Sequence, residues 1–410
     1  MKWVIWVASF IGLYLGIFWL HIILKKDKIV SKIKHFPTIS LVVPAHNEEE
    51  GLPKTIHSIA NLDYPKNKIQ VIIVDHGSKD DTWDVAKRLI KRYKDLNIKL
   101  VKKEHESSHT KAHAFNAGLA HATGEFAGCV DADTILLKEC LKEIIPEFDS
   151  ERIGAVISTI KVTKPTNLYE KIQHLEYIFS TFMRTLMSKI ETLHVTPGAL
   201  SLYRKKIFDK HGGFDEENIT EDLEMAMRLQ SLGYKVRIAV GSITYTKVPN
   251  TFKSLWNQRV RWFRGFIYNN VKYKKMFMNK EYGSMGTFQY PVNILTLGTI
   301  ILLVVMMSYE LIRRIISYVE RFLIIKWEII AFEFPSLKEV IFNLDINLVI
   351  PIVISFFIAF AIYHLAHKNL KEKWKYPFAL ALYISVYPLL RSMHWITAIY
   401  KESVRAKKKW

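Results

Sequence analysis

Asp131, Ala132 and Asp133 close an apolar run, residues 126–130, and a second apolar stretch, 135–137, follows. Residues two apart on an extended backbone point the same way, so both carboxylates are expected on one side of a strand end. Carboxylates so placed repel unless a cation lies between them. Mg²⁺ and Mn²⁺ take oxygen ligands and share a substrate's phosphates. The triplet therefore reads as a seat for a metal and a diphosphate, or as an ordinary turn that ends a strand. Glu221 and Asp222 form a second acidic group. Asn218, three residues before Glu221, has the form of a capping box, and acids in a first turn suit the helix dipole. A third group sets Arg259, Arg261 and Arg264 among Trp256, Trp262 and Phe263. It suits a diphosphate with a sugar-stacking surface, and equally an amphipathic helix at a lipid headgroup boundary. His105, His109 and His113 would stack three imidazoles for zinc on a helix, but the residues between them read as a polar loop.

The elements that must carry these groups are short and alternate in type. Residues 39–43, 69–74, 126–130, 153–160 and 236–240 are apolar and mostly β-branched, which predicts strands. Helical spacing marks 84–94 and 141–148, and 168–188 predicts an amphipathic, aromatic-rich helix. Turns at Pro197-Gly198-Ala199 and Gly212-Gly213-Phe214 precede a helix from about Asn218 to Gly233, the first of them entering a short strand. Strands alternating with helices imply an α/β fold with a mainly parallel sheet covered on both faces. Ligands in such sheets sit at the carboxyl ends of strands, which is where Asp75 and the Asp131/Asp133 pair fall.

Composition sets the surroundings. The chain of 410 residues is 50% hydrophobic and 13% aromatic, and carries a formal charge of +19. Much of the basic excess flanks apolar stretches: Lys25, Lys26, Lys28, Lys32 and Lys34 after the first, Lys368 to Lys375 between two others, Lys407 to Lys409 at the end. That placement points to a membrane surface rather than to nucleic acid. Residues 3–24, 290–309 and 348–366 are expected to span the bilayer. Residues 376–400 contain Pro388, Arg391 and His394, and are expected to be re-entrant or interfacial, with a fourth span as the alternative. The charge pattern puts the domain after the first span in the cytoplasm. The two cysteines, Cys129 and Cys140, suit reduced, buried thiols better than a disulfide framework.

Taken together, these stretches resemble the membrane-bound family 2 glycosyltransferases, in the synthase-type branch of cellulose, hyaluronan, chitin and poly-N-acetylglucosamine synthases. The resemblance covers about residues 37–265. It is carried by Val43-Pro44-Ala45-His46-Asn47-Glu48-Glu49, Val74-Asp75-His76-Gly77-Ser78-Lys79-Asp80, Lys111-Ala112-His113-Ala114-Phe115-Asn116-Ala117-Gly118, Asp131-Ala132-Asp133, Thr220-Glu221-Asp222 and the Gln-x-x-Arg-Trp signature of Gln258, Arg261 and Trp262. His46, His76 and Lys247 depart from the family pattern, where Tyr, Asp and an acid are common.

The resemblance implies a GT-A-like nucleotide-sugar-binding domain at 37–265, between an N-terminal transmembrane helix at 1–25 and an interfacial and transmembrane region at 266–410. It implies that Ala45, Glu48, Asp75, Lys111 and Asp131 hold the nucleotide-sugar and that Asp133 binds Mg²⁺ or Mn²⁺. Asp222 would be the general base, with Glu221 beside it. Gln258, Arg259, Arg261 and Trp262 would shape the acceptor and diphosphate sites. The expected activity is inverting transfer from a nucleotide-sugar, UDP-linked, to a growing polysaccharide at the membrane. Transfer of one sugar to a lipid such as a polyprenyl phosphate is the alternative, and a catalytically silent membrane scaffold a third reading. No nucleic-acid partner is expected; association into a homo-oligomer would let few spans line a polymer channel.

Overall fold

The computed structural model describes residues 2–25, 33, 35–104, 110–325, 336 and 346–406. The expected basic cluster at 26–34, apart from Lys25, lies outside the described residues, as do Lys407 to Lys409, His105 and His109. The chain divides into two compact units: residues 26–291 with 369–410, and residues 1–25 with 292–368. The expected helical region at 266–410 is thus shared between them.

The larger unit is built on eight strands: β1 (Ile39–Ala45), β2 (Ile69–His76), β3 (Asn97–Lys103), β4 (Phe126–Cys129), β5 (Ile135–Leu136), β6 (Ile153–Val162), β7 (Ser201–Arg204) and β8 (Lys235–Thr246). Their order is β3-β2-β1-β4-β7-β6-β8-β5. Strand period sorts the side chains of the inner strands into two cores. Ile39, Leu41 and Val43 of β1 join Val71 and Ile73 of β2 on one face. Val42, Ile72 and Val74 fill the other. Helices α2 (Leu52–Ala60), α3 (Thr82–Arg92) and α5 (Cys140–Ile144) cover the first core. On the second lie α4 (Lys111–Leu119), α7 (Lys205–His211) and α8 (Glu221–Ser231). Each fully buried Val, Leu or Ile contributes about 1.5–3 kcal/mol relative to exposure, so runs apolar at every position belong in the middle of the sheet. Cys129 and Cys140 are free and buried.

Among the described residues the sheet is mixed, with four of its seven strand pairings parallel and three antiparallel. β1–β2, β1–β4, β2–β3 and β6–β8 pair parallel, whereas β4–β7, β6–β7 and β5–β8 pair antiparallel. The cause is β7, which follows the long helix α6 (Leu168–Lys189) and enters between β4 and β6 against both of their directions.

In the smaller unit, α1 (Lys2–Ile23), α10 (Tyr290–Ile325, of which all but the first residues belong here) and a helix at Ile346–Asn369 occupy the three stretches expected as spans. Among the described residues no helix is long and apolar enough to cross a membrane; several side chains of these helices lie outside that set. Residues 377–403 form two short helices, Pro377–Ser385 and Tyr387–Ser403, and belong to the unit that holds the sheet. The second packs on α9 (Phe252–Lys272), with Phe263 stacked on Trp395 at 4.2 Å and Arg264 paired to Glu402 at 2.6 Å.

Candidate active site

The carboxyl ends of β1, β2 and β4 lie side by side, and Ala45 stands opposite Asp75 in the β1–β2 register. Two loops leave this edge and are bonded to each other. Asn47 N–H donates to Ser78 Oγ at 3.0 Å, Lys79 N–H to Asn47 Oδ1 at 2.8 Å, and Glu48 N–H to Thr82 Oγ1 at 2.8 Å. Asp75 is buried and its Oδ1 accepts from Ser78 N–H at 3.3 Å. Both loops are thereby held above the sheet.

β4 ends at Cys129, so Asp131 and Asp133 stand on a turn and the period-two argument does not place them. Val130 N–H still bonds Val42 O, but Asp131 N–H turns to Gly198 O at 2.9 Å and Ala132 O accepts from Thr55 at 2.6 Å. Lys111, at the start of α4, pairs with Asp131. Gly198 closes this pair: a Cβ there would lie 2.5 Å from Asp131 Oδ1 and 2.6 Å from Lys111 Nζ. Burial raises Asp133 above the usual carboxylate range, against the pull of Lys111 and Lys247. Burial and then the Asp133 charge raise Glu48 likewise.

Glu221 and Asp222 open α8. Asp222 O accepts from Thr196 Oγ1 at 2.7 Å, two residues before Gly198, which ties this helix start to the Asp131 turn. Glu221 is buried, and burial followed by the Asp222 charge raises it, with Lys111 and Arg261 pulling the other way. Asp222 is half-buried. The expected Asn218 capping box is corrected: Thr220 is the N-cap and no side chain caps the helix. Asn218 Oδ1 accepts from Thr220 N–H at 3.1 Å, and its amide also exchanges hydrogen bonds with Asn269 of α9 at 2.8 and 3.3 Å. Arg261 donates to Ile219 O at 2.9 Å. Arg259 differs from its expected place, since it is 2% exposed and bound to Glu176 of α6 at 2.6 Å. Gln258 and Trp262 both lie against that guanidinium. His113 closes the capping box of α4 with Thr110, while His105 and His109 lie outside the described residues.

Comparison with known proteins agrees with this geometry. The model of glycosyl transferase family 2 matches residues 40–212, and that of glycosyl transferase family group 2 matches residues 129–366, more than half of the chain. The chain belongs to the family 2 glycosyltransferases. A probable glycosyltransferase of Bacillus subtilis, YdaM, is 31% identical over 60% of this chain and 59% of its own length. A poly-beta-1,6-N-acetyl-D-glucosamine synthase of Staphylococcus epidermidis is 30% identical over 55% of this chain and 54% of its own. A beta-monoglucosyldiacylglycerol synthase of Trichormus variabilis is 27% identical over 64% and 56%. The aligned part of this glycosyltransferase thus spans little more than half the length of those relatives. Among solved structures, the mannosyltransferase PcManGT of Pyrobaculum calidifontis, in complex with GDP-Man and Mn²⁺, has a TM-score of 0.66 and 19% identity, covering 99% of this chain and 100% of that one. At that identity the likeness is one of fold, and the fold is GT-A-like.

Several residues of the glycosyltransferase site carry little signal in sequence. Thr246 bonds the Asp133 carboxylate and Lys247 bears on both Asp133 and Glu48, although they stand at the far end of β8. Arg184, on α6, is lowered by burial, with Tyr177 and Asp222 drawing it back. Of the residues around the site, the Pro197-Gly198 turn is marked in sequence by its composition, and Lys247 by its departure from the family pattern. Among the described residues no three His, Cys, Asp or Glu side chains gather as a closed metal site. Asp131 and Asp133 nevertheless fit a hard divalent ion held by one or two carboxylates and completed by substrate phosphates. The half-buried, raised carboxylates of Asp133 and Glu48 are the ones a cation would neutralise.

Proposed function

We propose that this glycosyltransferase moves a sugar from a UDP-linked donor to a growing polysaccharide at a membrane, with inversion and a β-linkage. The observation that carries the reading is the meeting of Lys111, Asp131, Asp133, Glu221 and Asp222 at one sheet edge. In the proposed mechanism, Asp75 and the loop from Ala45 to Glu48 hold base and ribose. Lys111 and Asp131 approach the diphosphate sugar. Asp133, with Asp131, would hold Mg²⁺ or Mn²⁺, which when bound supplies positive charge to the departing diphosphate. Asp222, half-exposed beside the buried Glu221, takes the proton of the acceptor hydroxyl as it attacks. Such general-base help supplies about 10²–10⁴-fold in rate. Attack opposite the leaving group inverts the anomeric centre, and no covalent enzyme intermediate is needed.

Membrane association, with the sheet-bearing unit on the cytoplasmic side, is part of the proposal. It is supported by large apolar side chains left exposed along the helices of the smaller unit, among them Phe10, Tyr14 and Ile17 of α1, and Phe356, Phe357 and Phe360. Contiguous apolar surface of this kind is costly in water and marks a lipid or protein contact. Transfer of one sugar to a lipid acceptor is the second reading, supported by likeness to the beta-monoglucosyldiacylglycerol synthase of Trichormus variabilis. The test is incubation of the purified chain in lipid with radiolabelled nucleotide-sugars, followed by sizing of the product. A polymer made only with a divalent ion is expected. A singly glycosylated lipid selects the second reading, no product from any donor selects the scaffold, and full activity in a strong chelator removes the ion from the mechanism.

A further inference from the structure

The Arg259 guanidinium is the centre of a buried cluster joining three helices. Its Nη2 lies 2.6 Å from Glu176 Oε2 on α6, and its Nε donates to Tyr387 Oη at 3.3 Å on the helix Tyr387–Ser403. Tyr387 in turn donates to the same Glu176 oxygen at 2.9 Å. The other edge of the guanidinium donates to Gln258 Oε1, and its carbon stands 4.3 Å from the Trp262 ring centroid. A guanidinium is a rigid plate whose donors lie in one plane. Fixing two of its edges therefore fixes the face it turns to Trp262 and the donor it offers Gln258. A cation within about 6 Å of an indole face is attracted to it, so the ring follows the plate.

We infer that Glu176 is a positioning residue for sugar transfer, which through Arg259 sets Gln258 and Trp262 in the geometry that receives the acceptor. This rests on the reading that those two side chains shape the acceptor site. Arg261, the remaining member of the signature, is held separately, by Ile219 O at the start of the Asp222 helix. One helix thus takes two settings: α6 and Tyr387 orient its acceptor side, and the 218–220 loop its base side. A structural ion pair alone would not need Gln258 and Trp262 set on its guanidinium as well. Removing a buried pair whole is often neutral for stability, whereas removing one partner strands a buried charge.

The experiment uses the full chain in lipid and three variants. Glu176→Gln removes the charge, Arg259→Lys keeps the charge but not the plate, and Glu176→Leu/Arg259→Met/Tyr387→Phe removes the cluster without stranding an ion. Hydroxyl-radical labelling read by mass spectrometry compares Trp262 with Trp395, which is 6% exposed. Trp262 labelling is expected to rise about threefold, the scale of a partly exposed cation–π contact, with Trp395 unchanged. Acceptor kcat/KM is expected to fall by about 10²-fold, as misplacement of a positioning group does, with UDP affinity and donor KM unchanged. Arg259→Lys is expected to match the triple variant in both readouts. Wild-type labelling or acceptor kinetics in the triple variant, full rescue by Arg259→Lys, or a parallel rise at Trp395 would each overturn the inference. Absence of transfer by the wild-type chain defeats the functional reading instead, and the labelling still decides the positioning.

Discussion

Carboxylates in two regions of this molecule are shifted in opposite directions. At the sheet edge, Asp133, Glu48 and Glu221 are all raised, burial being the first cause, and Lys111 does not offset it. On α6, burial works on Glu176 in the same sense, yet Arg259, Arg391 and the Tyr387 hydroxyl outweigh it and hold the group low. The first region keeps more negative charge than its own cations neutralise. The second sets one carboxylate between two guanidinium groups. A protein leaves charge uncompensated where a ligand is to supply the balance, and pairs it where geometry must not vary.

The widest gap between the two regions is expected in catalysis. Asp222→Asn should lower single-turnover transfer by about 10²–10⁴-fold while UDP affinity, measured by calorimetry, stays unchanged. Retained transfer would end the assignment of Asp222 as base. Stability should respond in the reverse order. Glu176→Gln leaves Arg259 buried without its partner and should cost about 3–5 kcal/mol in denaturant melts. Glu221→Gln removes a raised, buried charge, so it should raise the neutral-pH melting temperature by about 2–4 °C, a change worth ~1 kcal/mol.

The pH dependence follows from the same signs. Glu176 is depressed, so its stabilisation is present above the ordinary carboxylate pKa of 4.5 and lost as pH falls through its lower folded value. Glu221 is raised, so its favourable contribution is present below 4.5 and lost as pH rises through its folded value. Melts of Glu221→Gln should therefore converge on wild type in acid, and the gap between Glu176→Gln and wild type should close only at still lower pH. The smallest effect is expected at Lys247, which is exposed. Lys247→Ala should raise donor KM about two- to fivefold, the scale of a solvent-screened ion pair; a loss like that of Asp222→Asn would make it part of the site proper.

Much of the fold could be read directly from the chain. β1, β2 and the core of β6 are apolar at nearly every position, and only a strand covered on both faces tolerates that. β3, Asn97–Lys103, was not read as a strand because it lies at the sheet edge and three of its seven residues are lysines. β5 has two residues and no local pattern at all. The direction of β7 was equally out of reach, since a strand's residues are the same whichever way it pairs.

The site shows the same division. The types and order of Asp75, Lys111, Asp131, Asp133, Glu221 and Asp222 could be read from sequence alone, because the motifs that hold them are local. Which charge stands beside which was decided only in three dimensions. Thr246 and Lys247 come beside Asp133 because β8 pairs with β5, Asn218 bonds Asn269 of α9 as well as Thr220, and Arg259 turns from an expected acceptor and diphosphate contact into the buried partner of Glu176. Electrostatic pairing depends on distance and burial, and neither is carried by the spacing of residues along a chain.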